Sequence, residues 1–143
     1  MKVLAADYGD ARTGVAISDA TGMLAGFTTV IHSRDPHAVA NEIVRLVKDH
    51  QVERLVVGFP RNMDGTESRR AELYRDFAAL LERKTGLSSI LWDERRTTVD
   101  AHRILSETGN RGKKRKEKVD AVAATLILEG YLGFLRNSST QPT

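Results

Sequence analysis

Three short apolar runs limit the folds that this sequence can adopt. They are KVLAADY (2–8), ERLVVGFP (53–60) and SSILWDE (88–94). The first two are almost continuously apolar and do not alternate with polar residues, which is typical of strands that are buried on both faces. Segments with the apolar spacing of helices separate and follow these runs. The pattern predicts one α/β domain in which strands alternate with helices.

Turn residues and apolar spacing predict the remaining elements. RTGVAISD (12–19) follows a tight, glycine-containing connection and is expected to form a hairpin with the first strand, and LAGFTTVIH (24–32) adds a third strand. Helices are predicted from Pro36, over 66–84, over 97–108 and after the segment 111–118. The apolar faces of the first, second and last of these helices are expected to contain Val39, Ile43, Leu46 and Val47; Tyr74, Phe77, Ala78 and Leu81; and Val119, Val122, Ala123, Leu126 and Ile127.

The positive charge of the chain is concentrated in one segment. The net charge is +3, and RGKKRKEK (111–118) alone holds six Lys or Arg residues and one Glu, so the other residues together are slightly acidic. We predict that this segment is a loop before the last helix. A concentrated positive segment attracts polyanions more strongly than a dispersed excess of charge. A solvated, lysine-rich loop without a partner is the alternative interpretation.

Three acidic residues are predicted to lie where elements begin or end. Asp7 ends the first strand, Glu94 ends the last strand, and Asp120 is expected in the first turn of the last helix. If the strands of Asp7 and Glu94 flank the run at 53–60, they stand about 10 Å apart, and side chains that lean inward would meet. Carboxylates without imidazole or thiolate favour Mg²⁺ or Mn²⁺. Taken singly, each acid is an ordinary turn or helix-end residue.

Four segments resemble the signature segments of the YqgF (RuvX) family. They are DYGDARTGVAISD, VVGFPRNMDGTES, WDERRTTVDAHRIL and KVDAVAATLILEGYL, in the same order and spacing from Val3 to about Tyr131. The resemblance implies an RNase H-like fold, with a five-stranded mixed sheet of order 3-2-1-4-5 flanked by helices. Members are described as nucleases that mature the 5′ end of pre-16S rRNA, and some as Holliday-junction resolvases.

The resemblance also implies a catalytic and metal-binding set of Asp7, Glu94 and Asp120, which would hold two Mg²⁺ or Mn²⁺ ions for hydrolysis of a phosphodiester. Asp93 is a rival to Glu94, and because neighbouring strand residues face opposite ways only one of the two is expected in the site. The residues expected to contact nucleic acid are Arg12, Arg61, Asn62, Arg95, Lys113, Lys114, Arg115 and Lys118.

These features lead to one main hypothesis and three alternatives. The main hypothesis is a cytoplasmic pre-rRNA nuclease, a monomer or weak homodimer, with a domain at 1–136 and a disordered polar tail at 137–143. The alternatives are a resolvase of branched DNA, a nucleic-acid-binding module without catalysis, and an actin-like or sugar-kinase ATPase. The absence of cysteine excludes disulfides, thiolate zinc sites and a cysteine nucleophile. No apolar run is long enough to span a bilayer, so no membrane partner is expected.

Overall fold

A computed structural model describes residues 1–22, 24–59, 70–93 and 112–140, without the side chains of 112–119 and 138–140. The elements are β1 (Val3–Asp7), β2 (Arg12–Ser18), β3 (Ala25–His32), α1 (Pro36–His50), β4 (Arg54–Phe59), α2 (Ala71–Thr85), β5 (Ser89–Asp93) and α3 (Gly112–Thr140). Every predicted strand is present, with bounds within two residues of those expected. The helix predicted at 97–108 lies outside the described residues.

The five strands form a single mixed sheet in the order β3-β2-β1-β4-β5. The hairpin strands β1, β2 and β3 pair antiparallel, whereas β4 and β5 add in parallel to the other side of β1. This order confirms the predicted topology. It also places the carboxyl ends of β1, β4 and β5 side by side at one edge of the sheet.

Each face of the sheet is covered by helices, which explains why β1 and β4 are apolar on both sides. One face packs against α1 and α2, and the other packs against α3. The first face includes Leu4, Ala6, Val15, Leu55 and Val57 with Ile43, Phe77 and Leu81, and the second includes Val3, Ala5, Ala16, Val56 and Trp92 with Ala124, Ile127, Leu128 and Tyr131. Along β1 the side chains therefore alternate between the two cores.

The start of α1 is fixed by a side-chain cap. Asp35 occupies the N-cap position, its Oδ1 accepts a hydrogen bond of 3.0 Å from the backbone N–H of His37, and Pro36 begins the helix. Proline suits this position because its missing N–H has no helical partner there.

Replacing Asp35 with alanine is expected to lower the free energy of unfolding by about 1 kcal/mol, because a backbone N–H loses its acceptor. Urea unfolding followed by circular dichroism measures the change. Asp35→Asn keeps an acceptor oxygen and serves as the control, which should lie within a few tenths of a kcal/mol of the wild type. Equal destabilisation by both variants would contradict the capping role.

Helix α2 begins later than its sequence pattern predicts. The expected start was at 66, but the helix begins at Ala71 with Arg70 at the N-cap and no side-chain capping bond. It ends as expected at Gly86, which adopts a left-handed conformation (φ 74°) that glycine tolerates without strain. The predicted apolar face is confirmed, since Tyr74, Phe77 and Leu81 are buried.

Helix α3 begins before the position predicted for it, and this corrects two expectations. The basic segment from Gly112 to Lys118 is helical and is not a loop, and Asp120 lies more than two turns inside the helix and not in its first turn. Lys, Arg and Glu are good helix formers, so a charged run without proline can extend a helix beyond its apolar stripe. At the other end the helix continues to Thr140, which includes the first residues of the expected polar tail.

The buried face of α3 differs from the predicted stripe. Ala124, Ile127 and Leu128 are buried, with Tyr131 and Leu132 one turn further on, whereas Val122, Ala123 and Leu126 are only half-buried. Apolar residues are spread around this helix, so their spacing alone does not identify one face. Within the described parts of the chain, no helix has the length and apolarity needed to cross a membrane.

Candidate active site

Asp7 and Asp120 are both neighbours of Gly14. Asp7 is the last residue of β1 and lies on the α3 side of the sheet, as do Ala5 and Val3, two and four residues earlier. Its antiparallel partner on β2 is Gly14. A Cβ atom on Gly14 would lie 2.6 Å from the carbonyl carbon and 3.3 Å from the Cα of Asp120. The α3 backbone at Asp120 therefore rests directly on Gly14, whose Cα is about 5 Å from that of Asp7.

An ion pair connects Asp120 to the same strand. The Nε of Arg12 donates to Oδ2 of Asp120 at 2.8 Å, and the side chains are 31% and 18% exposed. Arg12 precedes Gly14 by two residues, so both lie on the α3 side of β2. Arg12, which is predicted to contact nucleic acid, thus forms an ion pair with Asp120, one of the predicted catalytic acids.

The orientation of Asp7 is fixed by the packing of the next residue. The ring of Tyr8 stacks on Phe77 with centroids 4.1 Å apart and meets Tyr74 edge-on at 6.0 Å. Burial raises the pKa of the Tyr8 phenol, with a smaller contribution from nearby Asp10, so the group is neutral near pH 7. Because Tyr8 is held against α2, Asp7 is directed to the other side of the sheet, toward α3.

The turn between β1 and β2 brings Arg12 close to the end of β1. A Cβ atom on Gly9 would overlap the carbonyl oxygen of Arg12, so the chain comes too close there for any other residue. The N–H of Gly9 donates to Oγ1 of the fully buried Thr13 at 3.5 Å. Asp10 forms an ion pair with Arg70 at the start of α2. These contacts hold the turn that carries the predicted site residues.

At the end of β5, the described residues separate the two rival acids by face. Trp92 packs on the α3 side, where its ring meets Tyr131 edge-on at 5.8 Å. Asp93 follows it and is in register with Phe59, so it falls on the opposite side of the sheet from Asp7. Glu94 lies outside the described residues, and its role stays a prediction.

The other predicted contacts with nucleic acid are only partly described. Arg61, Asn62 and Arg95 lie outside the described residues. Lys113, Lys114, Arg115 and Lys118 lie on the first turns of α3, the helix that carries Asp120, but only their backbone is described.

The donor set at this edge of the sheet matches a hard divalent ion in its chemistry. Asp7 and Asp120 bring carboxylate oxygens to one face, and such oxygens are the ligands that Mg²⁺ and Mn²⁺ prefer. Among the described residues, no group of three His, Cys, Asp or Glu side chains could hold a metal ion. Asp7 and Asp120 are the two predicted acids that the structure describes, and their role as metal ligands stays a prediction.

The contact between Gly14 and α3 and the ion pair between Arg12 and Asp120 were not predicted from the sequence. The position of Gly14 could have indicated the first contact, since a glycine inside a strand often marks close approach of another backbone. Nothing in the sequence indicates the ion pair, because its partners are separated by 108 positions in the chain.

The strand order and the helices on both faces of the sheet define an RNase H-like fold. Solved structures share this fold at low identity. RuvC from Thermus thermophilus in complex with a Holliday junction substrate has a TM-score of 0.62 and 12% identity, with 100% of this chain and 99% of that chain covered. The fowlpox virus Holliday junction resolvase has a TM-score of 0.53 and 11% identity, over 94% of this chain and 99% of that one.

The model of one family, described as "RuvX: Holliday junction resolvase", matches residues 1–133. Two relatives carry the name "Putative pre-16S rRNA nuclease". The one from Agathobacter rectalis is 41% identical, covering 96% of this chain and 99% of its own, and the one from Carboxydothermus hydrogenoformans is 44% identical, covering 94% and 97%. The chain belongs to the RuvX family, which confirms the resemblance.

Proposed function

We propose that this protein is a divalent-metal-dependent endonuclease that processes the 5′ end of pre-16S rRNA. The observation that carries the proposal is that Asp7 and Asp120 both lie next to Gly14 at the carboxyl edge of the sheet, on the same side of it. Grouped carboxylates repel one another and are expensive without a cation, so their convergence is typical of a metal site. The names of the relatives support a nuclease and suggest the substrate.

Glu94 is proposed as the third acid. Side chains alternate along a strand, and Trp92 faces α3 while Asp93 faces the other side. Wherever the strand continues past Asp93, the next position returns to the side of Asp7 and Asp120. This argument favours Glu94 over Asp93, as the spacing of the family motif also does.

The three acids would hold two Mg²⁺ or Mn²⁺ ions, which when bound supply an activated water and stabilise the leaving 3′ oxygen. The chain's own part is to fix the acids. Asp7 is held by the pairing of β1 with β2 and by the packing of Tyr8. Asp120 is held by the contact of α3 with Gly14. Acids fixed in this way do not have to reorganise during the reaction, which is the main contribution of a preorganised site.

The basic turns of α3 are proposed to bind the phosphates that flank the cleaved bond. Lys113 precedes Asp120 by seven residues, which corresponds to about 10 Å along a helix, and Lys118 precedes it by two. A phosphate backbone that passes Asp120 and follows these turns would therefore lie near the most basic segment of the chain. Phosphate contacts of this kind give affinity without reading the base sequence.

The function is tested by incubating the protein with end-labelled pre-16S leader RNA, an unrelated single-stranded RNA and a DNA four-way junction, each with Mg²⁺, Mn²⁺ or EDTA. We expect metal-dependent cleavage of the leader RNA at a defined position, and none in EDTA. If the folded protein cleaves none of these substrates under any of these conditions, the nuclease proposal is wrong.

A resolvase of branched DNA is the second candidate, and the description of the matching family model favours it. Resolution of a four-way junction requires two cuts and therefore two sites, so a resolvase should be a dimer on its substrate. We propose a cytoplasmic monomer or weak homodimer for the RNA nuclease. Symmetric cleavage of the DNA junction, with no cleavage of the leader RNA, would favour the resolvase.

A further inference from the structure

We propose that Arg12 is a displaceable counter-ion of Asp120, which neutralises the carboxylate in the metal-free protein and gives it up when a divalent ion binds. The proposal rests on the proposed function, because it takes Asp120 to be a metal ligand. It concerns a step that precedes the reaction, namely how the site is kept stable before metal and nucleic acid arrive.

The contact between the two side chains supports this role. One nitrogen of the guanidinium, Nε, donates to one oxygen, Oδ2, at 2.8 Å. Asp120 is mostly buried, with 18% of its side chain exposed, so its charge is poorly hydrated without a partner. Its backbone is fixed against Gly14, and Arg12 reaches it from the same strand. The ion pair therefore stabilises a carboxylate that has little contact with water.

The same contact makes Arg12 a competitor of the metal ion. A guanidinium and a divalent cation cannot both approach Oδ2 closely, since like charges at contact distance repel. Metal binding at Oδ2 would therefore break the pair, and metal binding at Oδ1 would weaken it by repulsion between the two cations. The pair consists of one contact between a singly charged guanidinium and one carboxylate oxygen, and a divalent ion carries twice that charge, so it can displace the guanidinium.

The released side chain has a new partner available when nucleic acid is bound. Arg12 lies on the α3 side of β2 and is 31% exposed, so its guanidinium reaches solvent beside the acids. Arginine binds phosphate oxygens well because its planar donors match their geometry. A phosphate that attracts Arg12 frees Asp120 for metal, so metal and nucleic acid each favour binding of the other.

The first test measures Mn²⁺ affinity by titration calorimetry for the wild type and for Arg12→Gln. Loss of the competing charge is expected to raise the affinity about fivefold, the factor for an ion pair of modest strength. Arg12→Lys keeps the charge and should stay near the wild type. Arg45→Gln is the matched control, because Arg45 pairs with Glu42 and Asp49 on α1. This variant should have the same Mn²⁺ affinity as the wild type. Unchanged or weaker Mn²⁺ binding by Arg12→Gln would overturn the proposal.

The second test needs neither metal nor cleavage. Binding of a fluorescent RNA oligonucleotide is measured in EDTA for the wild type, Arg12→Gln, Asp120→Asn and the double variant. In the wild type Arg12 is held by Asp120, so its replacement should weaken RNA binding less than twofold. In the Asp120→Asn background Arg12 is released, and its replacement should weaken binding at least fivefold. If Arg12→Gln lowers RNA affinity by the same factor in the wild type and in Asp120→Asn, the proposal is wrong. That result would mean that the ion pair does not keep Arg12 from binding RNA.

The two tests separate this proposal from the proposed function. If the wild type binds Mn²⁺ in a manner that depends on Asp7, but Arg12→Gln binds it no better, only the counter-ion role of Arg12 is wrong. If the folded wild type binds no Mn²⁺, the metal-dependent function and the role of Arg12 are both wrong. Circular dichroism of each variant verifies that a change in affinity does not come from unfolding.

Discussion

Replacement of Asp7 by asparagine is expected to lower the cleavage rate by about a thousandfold or more and to leave the fold intact. Asparagine has nearly the same shape as aspartate and is tolerated at a strand end, so β1 should still pair with β2 and β4. It lacks the negative charge that binds a divalent ion. The measurement is the single-turnover cleavage rate of the labelled substrate in Mg²⁺, together with a thermal unfolding curve.

Asp93→Asn is the matched control for Asp7→Asn. Asp93 also ends a strand, but it lies on the opposite side of the sheet from Asp7. Cleavage by this variant should remain within about tenfold of the wild type, since a residue outside the site has only indirect effects. Loss of cleavage in Asp93→Asn with normal cleavage in Asp7→Asn would mean that the metal site lies on the other face.

Replacement of Gly14 by alanine is expected to have the second-largest effect, on both stability and cleavage. The added methyl group would lie 2.6 Å from the carbonyl carbon of Asp120, so α3 has to move away from the sheet. Forcing extra volume into a packed contact costs about 1–3 kcal/mol. Cleavage should fall by about a hundredfold, because Asp120 moves with the helix and small displacements of catalytic groups have large effects.

Gly133→Ala provides the control for this substitution. Gly133 lies within α3, and the nearest atom to an added Cβ is the Nη2 of Arg136 at 3.8 Å, which is an ordinary contact. Alanine is the better helix former, so this variant should be more stable than the wild type by up to about 1 kcal/mol. Urea unfolding measures the free energy of unfolding of the Gly14→Ala and Gly133→Ala variants. A Gly14→Ala protein as stable and as active as the wild type would contradict the close contact between Gly14 and α3.

The sheet was largely predictable because its signals are local. Strands that are buried on both faces need apolar side chains at every position, and this leaves the continuous runs seen in β1 and β4. The order of the strands followed from the family resemblance, and the structure confirms it. The apolar faces of α1 and α2 were also correct, since each helix has one face in the core and one in solvent.

The predictions for α3 were less accurate, for a physical reason. Its first turns are highly charged and its middle is apolar on several sides, so neither its start nor its buried face is fixed by spacing. Both depend on what the helix packs against. The start of α2 was also misplaced, which is common because helix ends respond to neighbouring segments as much as to their own residues.

By itself, the sequence determined the fold class and the strands, because these depend on local hydrophobicity and on motifs with fixed spacing, and it predicted the acidic residues of the proposed site. Only the tertiary structure decided that α3 rests on Gly14 at Asp120, that Asp93 lies on the opposite side of the sheet from Asp7, and that Arg12 pairs with Asp120. These are contacts between residues far apart in the chain, and they exist only once strand register and helix packing are fixed. The spacing of residues along the chain can suggest that distant acids converge, but it does not identify which distant side chains form a pair.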